Sequence, residues 1–488
     1  MSRIKSLLCL VGTAAMLALF AGCGKNPEPN APAQTNEPVN ITVWTYYNGS
    51  QLEVFNSMVE EFNRTVGKEK NITVDSYSQG SVNDLEANVL AAAEGKVGTP
   101  AMPNIFSAYA DNAYALDQMG EVVDLSAYLT QEEKDAYIPG YLTEGDFSGS
   151  GSIKIFPTVK STELLFLNQT DWEPFAATTR VHYSDLTTVE GVVETAERYY
   201  EWSGGRAMFG RDAMANYMLV GARQLGCTLF EVTDGVMTLN YDQTVVRKLW
   251  DNYYVPFLKG YFSSGGRFRS DDVKTGNIIA YVGSTSSSSF FPGQVVTSDT
   301  ESHDIQRVVL PCPVFRGGEN YAVQQGAGMV VTKASEAEIQ ASVEFLKWFT
   351  LPEHNIAFSV DSGYLPVTKA GNDMEVIRSS GLDVSEEMDQ LLTTALDTVN
   401  SHQMYTQAAF SGGAEARSVL EHAMSDRAEA DRAAVEERME QGQSFDQAAE
   451  EFLSDDYFQN WYQETLTPSA PRSCCWQAHS TSARYLSS

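Results

Sequence analysis

The segment Ile41-Thr-Val-Trp-Thr45 is the first of three short apolar stretches that decide the fold; the others are Ile72-Thr-Val-Asp-Ser76 and Asn104-Ile-Phe-Ser-Ala108. Their length and their β-branched and aromatic residues predict buried strands. Between them, apolar residues recur at helical spacing, and Gly95 ends the second of these helices. This alternation of strands and helices indicates an α/β fold with a mostly parallel sheet wrapped by helices.

The alternation is then interrupted and resumes. Residues 146–157 hold Gly149 and Gly151 between polar and β-forming residues, which predicts a hairpin. The elements that follow predict a second α/β lobe and a return of the chain to the first. They are a strand at 162–167, helices near 189–202 and 212–225, strands at 307–310 and 328–331, a helix with Ile339, Val343, Leu346 and Phe349 on one face, and mostly helical sequence over 379–466.

The N-terminus carries the pattern of an export signal. Arg3 and Lys5 precede an apolar run that is too short for a membrane-spanning stop-transfer helix. The run closes on Leu19-Phe-Ala-Gly-Cys23, which resembles the cleavage box of bacterial lipoproteins, although that class prefers Leu where this chain has Phe20. We therefore expect residues 1–22 to be removed and Cys23 to carry acyl chains such as palmitate. An ordinary signal peptide with a chance cysteine is the alternative.

Residues 23–38 then combine the lipidated cysteine with a tether. This segment holds four prolines and several polar residues without apolar periodicity, so it cannot bury enough surface to fold. We expect it to hold a folded, extracytoplasmic body against the outer face of the cytoplasmic membrane.

The charge of the chain excludes one class of partner. The formal net charge is -31, from 33 basic and 64 acidic side chains. Such a surface repels nucleic acid and anionic lipid. A nucleic-acid-binding function is therefore excluded.

Three further features of the sequence need interpretation. Cys227 and Cys312 either pair or, as we favour, stay as small buried apolar residues. The acidic segment 426–456 is interpreted as a solvated outer helix, with an acidic docking face as the alternative. Residues 467–488 contain no acid and many Ser and Thr, and we expect a disordered tail without function.

Several segments resemble one family. They are Gly326-Ala-Gly-Met-Val-Val-Thr-Lys-Ala-Ser, Ala341-Ser-Val-Glu-Phe-Leu-Lys-Trp-Phe-Thr-Leu-Pro-Glu, Ser362-Gly-Tyr-Leu-Pro-Val, Lys160-Ser-Thr-Glu-Leu-Leu-Phe-Leu-Asn168 and Gly276-Asn-Ile-Ile-Ala-Tyr-Val-Gly-Ser284. Together, over 39–466, they resemble the family 1 bacterial extracellular solute-binding proteins, the carbohydrate receptors of ABC importers related to maltose-binding protein.

The resemblance implies a type II fold of the periplasmic-binding-protein kind, with two α/β lobes that close on a ligand. It implies a first lobe of 39–156 plus 305–362 and a second of 157–304 plus 363–466. The crossings between lobes would fall near Pro157, Ser302 and Gly363. It also implies a monomer without cofactor or metal, whose partners are a small carbohydrate and the permease subunits.

Candidate ligand residues follow from the fold. Ligands of open α/β sheets bind at the carboxyl ends of strands, and aromatic faces with carboxylates and amides suit sugars. From the first lobe we predict Tyr46, Tyr47, Asn48, Tyr109 and Asp111, while Trp44 is assigned to the core. From the second lobe and the crossings we predict Thr162, Glu163, Ser284, Thr285, Gln325, Gly326 and Gly363, and the resemblance adds Tyr364, because members of that family often use this stretch.

Two other functions stay open. The same fold could take another solute such as glycerol phosphate or a polyamine, and an anionic ligand would need a cation among Lys160, Arg206, Arg267 and Arg269. An extracytoplasmic enzyme acting on glycosides needs only two carboxylates. The sequence contains no catalytic motif, so we expect that the protein is not an enzyme.

Overall fold

The computed structural model describes residues 37–233 and 235–466. Residues 1–36, with the expected signal, lipid-bearing Cys23 and most of the tether, and the expected tail at 467–488 lie outside this description. The strands are β1 (Val39–Thr45), β2 (Ile72–Ser78), β3 (Ile105–Ala108), β4 (Glu163–Asn168), β5 (Phe209–Arg211), β6 (Phe230–Thr233), β7 (Val236–Leu239), β8 (Ala280–Ser284), β9 (Gln294–Ser298), β10 (Glu301–Asp304), β11 (Arg307–Pro311), β12 (Tyr321–Val323), β13 (Gly328–Val331) and β14 (Gln403–Tyr405).

The α-helices occupy the sequence between and after these strands. They are α1 (Gly49–Arg64), α2 (Val66–Lys70), α3 (Val82–Ala93), α4 (Ala110–Gln118), α5 (Gln131–Ala136), α6 (Pro139–Leu142), α7 (Gln169–Thr179), α8 (Val189–Ser203), α9 (Met214–Gln224), α10 (Gln243–Leu258), α11 (Arg269–Lys274), α12 (Glu336–Phe349), α13 (Pro352–Ser362), α14 (Met374–Ser379), α15 (Glu386–Ser401), α16 (Gly413–His422), α17 (Ser425–Glu440), α18 (Phe445–Ala449) and α19 (Asp455–Leu466). Short 3-10 turns lie at Leu125–Ala127, Thr143–Gly145, Tyr183–Leu186 and Thr285–Phe290.

The first sheet has the strand order β13-β3-β1-β2. Strand β1 pairs in parallel with both β2 and β3, with Val43 opposite Ile105. Strand β13 returns from far along the chain and pairs antiparallel with β3. The predicted βαβαβ start and its mostly parallel sheet are thus confirmed.

The second sheet has the order β11-β4-β8-β5. Successive residues of β4 point to opposite faces, as strand geometry requires. Leu165 and Leu167 enter one hydrophobic cluster, while Leu164 and Phe166 enter another on the other face. Three two-stranded ribbons, β6 with β7, β9 with β10 and β12 with β14, complete the sheets of the described chain.

Two separate cores surround the two sheets. The core of the first sheet includes Val43 and Phe106 from its strands and Phe55 and Phe345 from helices α1 and α12. The larger core of the second sheet takes in helices from α7 to α10 and the C-terminal helices from α16 onward. Helix α4 packs on the first core, whereas α16 packs on the second.

Three chain segments run side by side between the sheets. Lys160 exchanges backbone hydrogen bonds with Leu365, and Ser161 does the same with Gln325. The segment at 160–161 therefore lies between the other two. The crossings expected near Pro157 and Gly363 fall beside this ribbon.

The third expected crossing, near Ser302, is wrong. Ser302 lies in the antiparallel hairpin of β9 and β10, and the following strand β11 pairs with β4 of the second sheet. The chain returns to the first sheet only between β11 and β13. The apolar residues of β11 fit either lobe, so its sequence could not indicate which sheet it joins.

The predicted hairpin at 146–157 is also absent from the structure. Asp146 instead accepts hydrogen bonds from the backbone amides of Ser150 and Gly151 and from the hydroxyl of Ser152. This carboxylate closes a turn without strand pairing, because its oxygens take the amides that a ladder would use.

Cys227 and Cys312 are free thiols, so the disulfide alternative is wrong. Within the acidic segment, α17 buries Ala428 and Val435 against the second core, as expected of an outer helix. Across residues 37–233 and 235–466, no helix has the length and apolar content needed to cross a membrane.

Candidate functional site

Three tyrosines meet at the carboxyl end of the first sheet. Tyr46 follows β1, Tyr109 follows β3, and Tyr364 follows α13. The Tyr46 and Tyr109 rings are nearly parallel, with centroids 6.4 Å apart, and the hydroxyls of Tyr46 and Tyr364 are 3.2 Å apart. Burial raises the pKa of Tyr46 and of Tyr364 above the ordinary value, so both hydroxyls stay protonated and one donates to the other.

Exposure within this tyrosine cluster (Tyr46, Tyr109 and Tyr364) is uneven. Tyr109 is 36% exposed, whereas Tyr46 and Tyr364 are 9% and 4% exposed. Tyr109 thus keeps part of its aromatic side chain accessible to solvent, while Tyr46 and Tyr364 are buried. Asn48 lies exposed at the rim and donates to the Tyr46 carbonyl over 3.5 Å.

Tyr47 belongs to the core, not to the site surface. Its side chain is 1% exposed and its ring packs against Phe55 and Phe358. We expected it among the ligand residues, but its ring is buried beneath the surface and contacts Tyr46 and Tyr364 of the cluster from within the core. Trp44 is buried as assigned.

Asp111 lies in the first turn of α4, next to the tyrosine cluster. Its carboxylate rests against Gly413, the first residue of α16 on the second core, and no described group donates a hydrogen bond to it. Burial raises the pKa of Asp111 to about 6, although the nearby guanidinium of Arg417 lowers it. A carboxylate without donors can accept hydrogen bonds from hydroxyl groups.

Glu163 and Gln325 meet at one side chain that the sequence did not indicate, Asn216 of α9. The Asn216 amide donates to Glu163 Oε1 over 2.7 Å and to Gln325 Oε1 over 2.9 Å. Glu163 also pairs with Arg211 at 2.8 Å. Burial raises the pKa of Glu163, although Arg211 and Asn216 favour its ionised form.

Arg417 of α16 completes this polar network. Its guanidinium donates to Asn216 Oδ1 over 2.6 Å. Its charge acts on Tyr109, Asp111 and Glu163. No carboxylate of the described chain forms an ion pair with Arg417. A guanidinium carries five N–H donors, so Arg417 keeps donors for another group.

The remaining predicted residues support the crossings. Thr162 is fully buried and donates to the Val323 carbonyl over 2.8 Å. Gly326 has a φ of +95°, and a side chain there would meet the backbone of Lys160 and Ser161. These two positions shape the backbone and present no functional group to a ligand.

The turn that follows β8 packs against Gly363, at the end of α13. Ser284 caps this turn by accepting from the Ser286 amide, and Thr285 is buried. Gly363 has a φ of +71°, and a Cβ there would lie 2.7 Å from Ser288 Oγ. Ser284, Thr285 and Gly363 thus lie together, at a lobe contact instead of beside Asp111.

The four predicted cations serve other purposes. Lys160 is buried and pairs with Glu144, and Arg269 pairs with Asp272 at 2.8 Å. Arg206 and Arg267 are exposed on the second-sheet side. Arg417 is the cation that reaches Asp111 and Tyr109. The Gly412-Gly413 pair at the start of its helix was the available sequence signal of a close backbone approach.

The described residues contain no group of three or more His, Cys, Asp or Glu side chains arranged to hold a metal ion. The arrangement is one aromatic face with a carboxylate from one sheet and a fixed guanidinium and amide from the other. Such a set binds a polar solute by stacking and hydrogen bonds.

Known proteins were compared with the chain. A family model described as bacterial extracellular solute-binding protein matches residues 57–381. A search of curated proteins finds no match.

Solved structures share the fold. The cyclic α-maltosyl-1,6-maltose binding protein from Arthrobacter globiformis is 15% identical, with a TM-score of 0.63 over 88% of this chain and 99% of that one. The GacH receptor of Streptomyces glaucescens, solved unliganded and with acarbose, is 14% identical, with a TM-score of 0.64 over 88% of this chain and 98% of that one. UgpB from Mycobacterium tuberculosis in complex with glycerophosphocholine is 16% identical, with a TM-score of 0.65 over 88% of this chain and 99% of that one.

At these identities the structural neighbours establish the fold alone, while the family model covers more than half of the chain. The family model confirms the predicted family, and the structural neighbours confirm the two-lobed α/β fold class. The first lobe is built on the first sheet and the second lobe on the second sheet. The chain belongs to the bacterial extracellular solute-binding proteins.

Proposed function

We propose that this chain is the substrate-binding lipoprotein of an ABC importer, which binds a sugar or oligosaccharide between its lobes and delivers it to the permease. The observation that best supports this proposal is that an exposed aromatic side chain lies with polar groups from both lobes. Tyr109 and Asp111 come from the first lobe, and Arg417 on its Asn216 support comes from the second. A pyranose offers a C–H face for stacking and hydroxyls for the carboxylate and guanidinium.

The membrane part of the proposal rests on the sequence. Cys23 would carry the lipid, and residues 24–38 would tether a monomeric body to the outer face of the cytoplasmic membrane. An extracellular solute-binding family agrees with that side of the membrane.

The lobes of the proposal follow the sheets. The first comprises about 39–156 together with β13, α12 and much of α13, and the second comprises about 157–311 together with the chain after Tyr364. This division moves β11 from the first lobe, where we expected it, to the second. It leaves the site between the lobes, where closure would bury a solute.

A second candidate solute is a phosphodiester such as glycerophosphocholine. Arg417 favours it, because a guanidinium with unused donors recognises phosphate oxygens. Asp111 and the carboxyl groups that interact with it, Glu86 and Glu415, oppose it, because neighbouring carboxylates repel an anion. The sugar is therefore preferred.

The test is a thermal-shift screen of the purified chain. The panel holds gluco-, xylo- and galacto-oligosaccharides, their monosaccharides, glycerol phosphodiesters and polyamines. A true solute at 100 times its dissociation constant should add about 2.7 kcal/mol to the free energy of unfolding. Calorimetric titration and a decrease of the radius of gyration in solution scattering should accompany the shift.

Each outcome has a consequence for the proposal. Binding of a neutral sugar supports it, and binding of phosphodiesters or polyamines alone replaces the sugar by that solute. Hydrolysis of a glycoside in the panel would overturn the binding-protein assignment. A site variant, Tyr109→Ala, controls for binding elsewhere on the surface.

A further inference from the structure

Gly413 occupies the place where the first lobe touches the second. A Cβ built on Gly413 would lie 2.3 Å from Oδ1 and 2.9 Å from Cγ of Asp111. Contacts under 3 Å are too short for a methyl group beside a carboxylate. The carboxylate thus lies directly on the backbone at the start of α16, and a larger residue at 413 requires Asp111 or the helix that carries it to shift.

The backbone gives no other reason for glycine at this position. Gly412 has a φ of +86° and needs glycine, whereas Gly413 is not among the glycines with positive φ. It is already part of α16, where glycine is less favourable than alanine by about 1 kcal/mol. The close approach of Asp111 therefore accounts for this glycine.

A second contact of the same kind involves the same helix. Tyr114, one turn further along α4, places its hydroxyl 3.3 Å from the Cβ position of Gly235, in the turn between β6 and β7. Gly235 has a φ of +74°, so its backbone also requires glycine. Helix α4 of the first lobe thus rests on the second lobe at two points that lack side chains.

We propose that Gly413, with Gly235, forms a seat on the second lobe for helix α4, and that this seat sets how far the lobes close. Because glycine has no side chain, Asp111 and Tyr114 can approach the backbone of these two residues closely. A methyl group at 413 would hold α4 off α16 and keep the lobes apart. The inference depends on the two-lobed fold and not on the identity of the solute.

Hydrogen–deuterium exchange on the whole chain purified in detergent tests the seat without any solute. Gly413→Ala should raise exchange about tenfold in peptides over the first turns of α4 and α16, because the lobes part there. The rest of the second core should exchange as before, since alanine is the better helix residue. Ala414→Ser, a change at the exposed neighbour, should leave exchange unaltered and serves as the control.

A double variant separates the seat from damage to the helix. Asp111→Ala removes the atoms that the new methyl group meets, so Gly413→Ala in that background should change exchange little. Equal exchange in the wild type and Gly413→Ala would overturn the proposal. An increase that persists in the Asp111→Ala background would overturn it too, because the cause would then lie within α16. Failure of every sugar to bind would leave this result untouched.

Discussion

Arg417 donates to the Oδ1 atom of Asn216 over 2.6 Å, and this bond orients a guanidinium whose charge acts on Asp111 and Tyr109. Asn216 is itself fixed by Glu163 and Gln325. A donor held in place before binding loses little entropy when a solute arrives. The polar side of the site is therefore preorganised by residues of the second lobe and its crossing.

Arg417→Gln should weaken the binding of any sugar identified in the screen by about 1.5–3 kcal/mol, the range for a hydrogen bond to a charged group. The melting temperature should fall only modestly, because Arg417 has no ion pair to lose within the described chain and its one protein hydrogen bond there is to Asn216. Calorimetric titration measures the loss. Arg417→Lys keeps the charge and should retain part of the affinity; equal affinity in wild type and Arg417→Gln would contradict the assignment.

Tyr109→Ala and Tyr47→Ala should separate binding from stability. Tyr109 offers the exposed ring, so its loss should cost about 1–2 kcal/mol of sugar affinity and little stability. Tyr47 is a core ring, so its loss should lower the free energy of unfolding by about 3–5 kcal/mol.

Denaturant unfolding and calorimetry of both tyrosine variants measure the two effects, with Tyr47→Phe as the control that keeps the ring. If Tyr47→Ala stayed stable but lost sugar affinity, Tyr47 would be a ligand-binding residue and its assignment to the core would be wrong.

Asp111→Asn should alter how stability depends on pH. The folded pKa of Asp111 is raised to about 6, above that of an unfolded aspartate, so the wild type loses stability as pH rises from about 4 to 6. The neutral amide avoids this loss. The difference in unfolding free energy, variant minus wild type, should grow over that interval and stay constant above it.

Urea titrations of Asp111→Asn and wild type between pH 4 and 8 measure this difference, since other carboxylates contribute equally to both proteins. A difference that is flat across the interval would show that Asp111 titrates normally.

Cys23→Ala should release the protein from membranes or leave an uncleaved precursor. The lipid on Cys23 would be the anchor, since the residues before it resemble a lipoprotein cleavage box. Fractionation with and without detergent, with a blot for size, measures the outcome. Cys227→Ala is the matched control and should stay membrane-bound; a processed, membrane-bound Cys23→Ala protein would contradict lipidation.

Deletion from Thr467 onward should leave the melting temperature and affinity unchanged. The last helix, α19, ends at Leu466 and buries Phe458 and Trp461 in the second core. Truncation after Asp456 is the contrasting variant and should destabilise the protein by removing those rings. Thermal melts of both compare them, and a clear loss from the shorter deletion would show that the tail takes part in the fold.

The sequence predicted those parts of the site that depend on local patterns. Tyr46 and Tyr109 follow adjacent parallel strands, whose carboxyl ends must share one edge, so their meeting was expected. Tyr364 came only from the resemblance to the family. The orientation of Tyr47 could not be predicted, because β1 is covered on both faces and alternation there does not separate core from surface.

The partners from the second lobe lay beyond sequence reasoning. Asn216 and Arg417 sit on separate helices and meet only when those helices pack on the second core. Arg417 follows an ordinary helical pattern in a stretch without strand signals. The lobe predicted for strand β11 was wrong for a related reason. Its pairing with β4 is a long-range contact, and its sequence fits the edge of either sheet equally well.

The strand order of the first sheet also determines when that sheet can be finished. Strand β13 covers β3, yet the whole second sheet precedes it in the chain. A nascent chain therefore carries β3, with Ile105 and Phe106, as an open edge until residue 331 has emerged. Such late completion delays the covering of this edge until most of the chain has been made. It also makes this edge the place where a chaperone or a second nascent copy would attach.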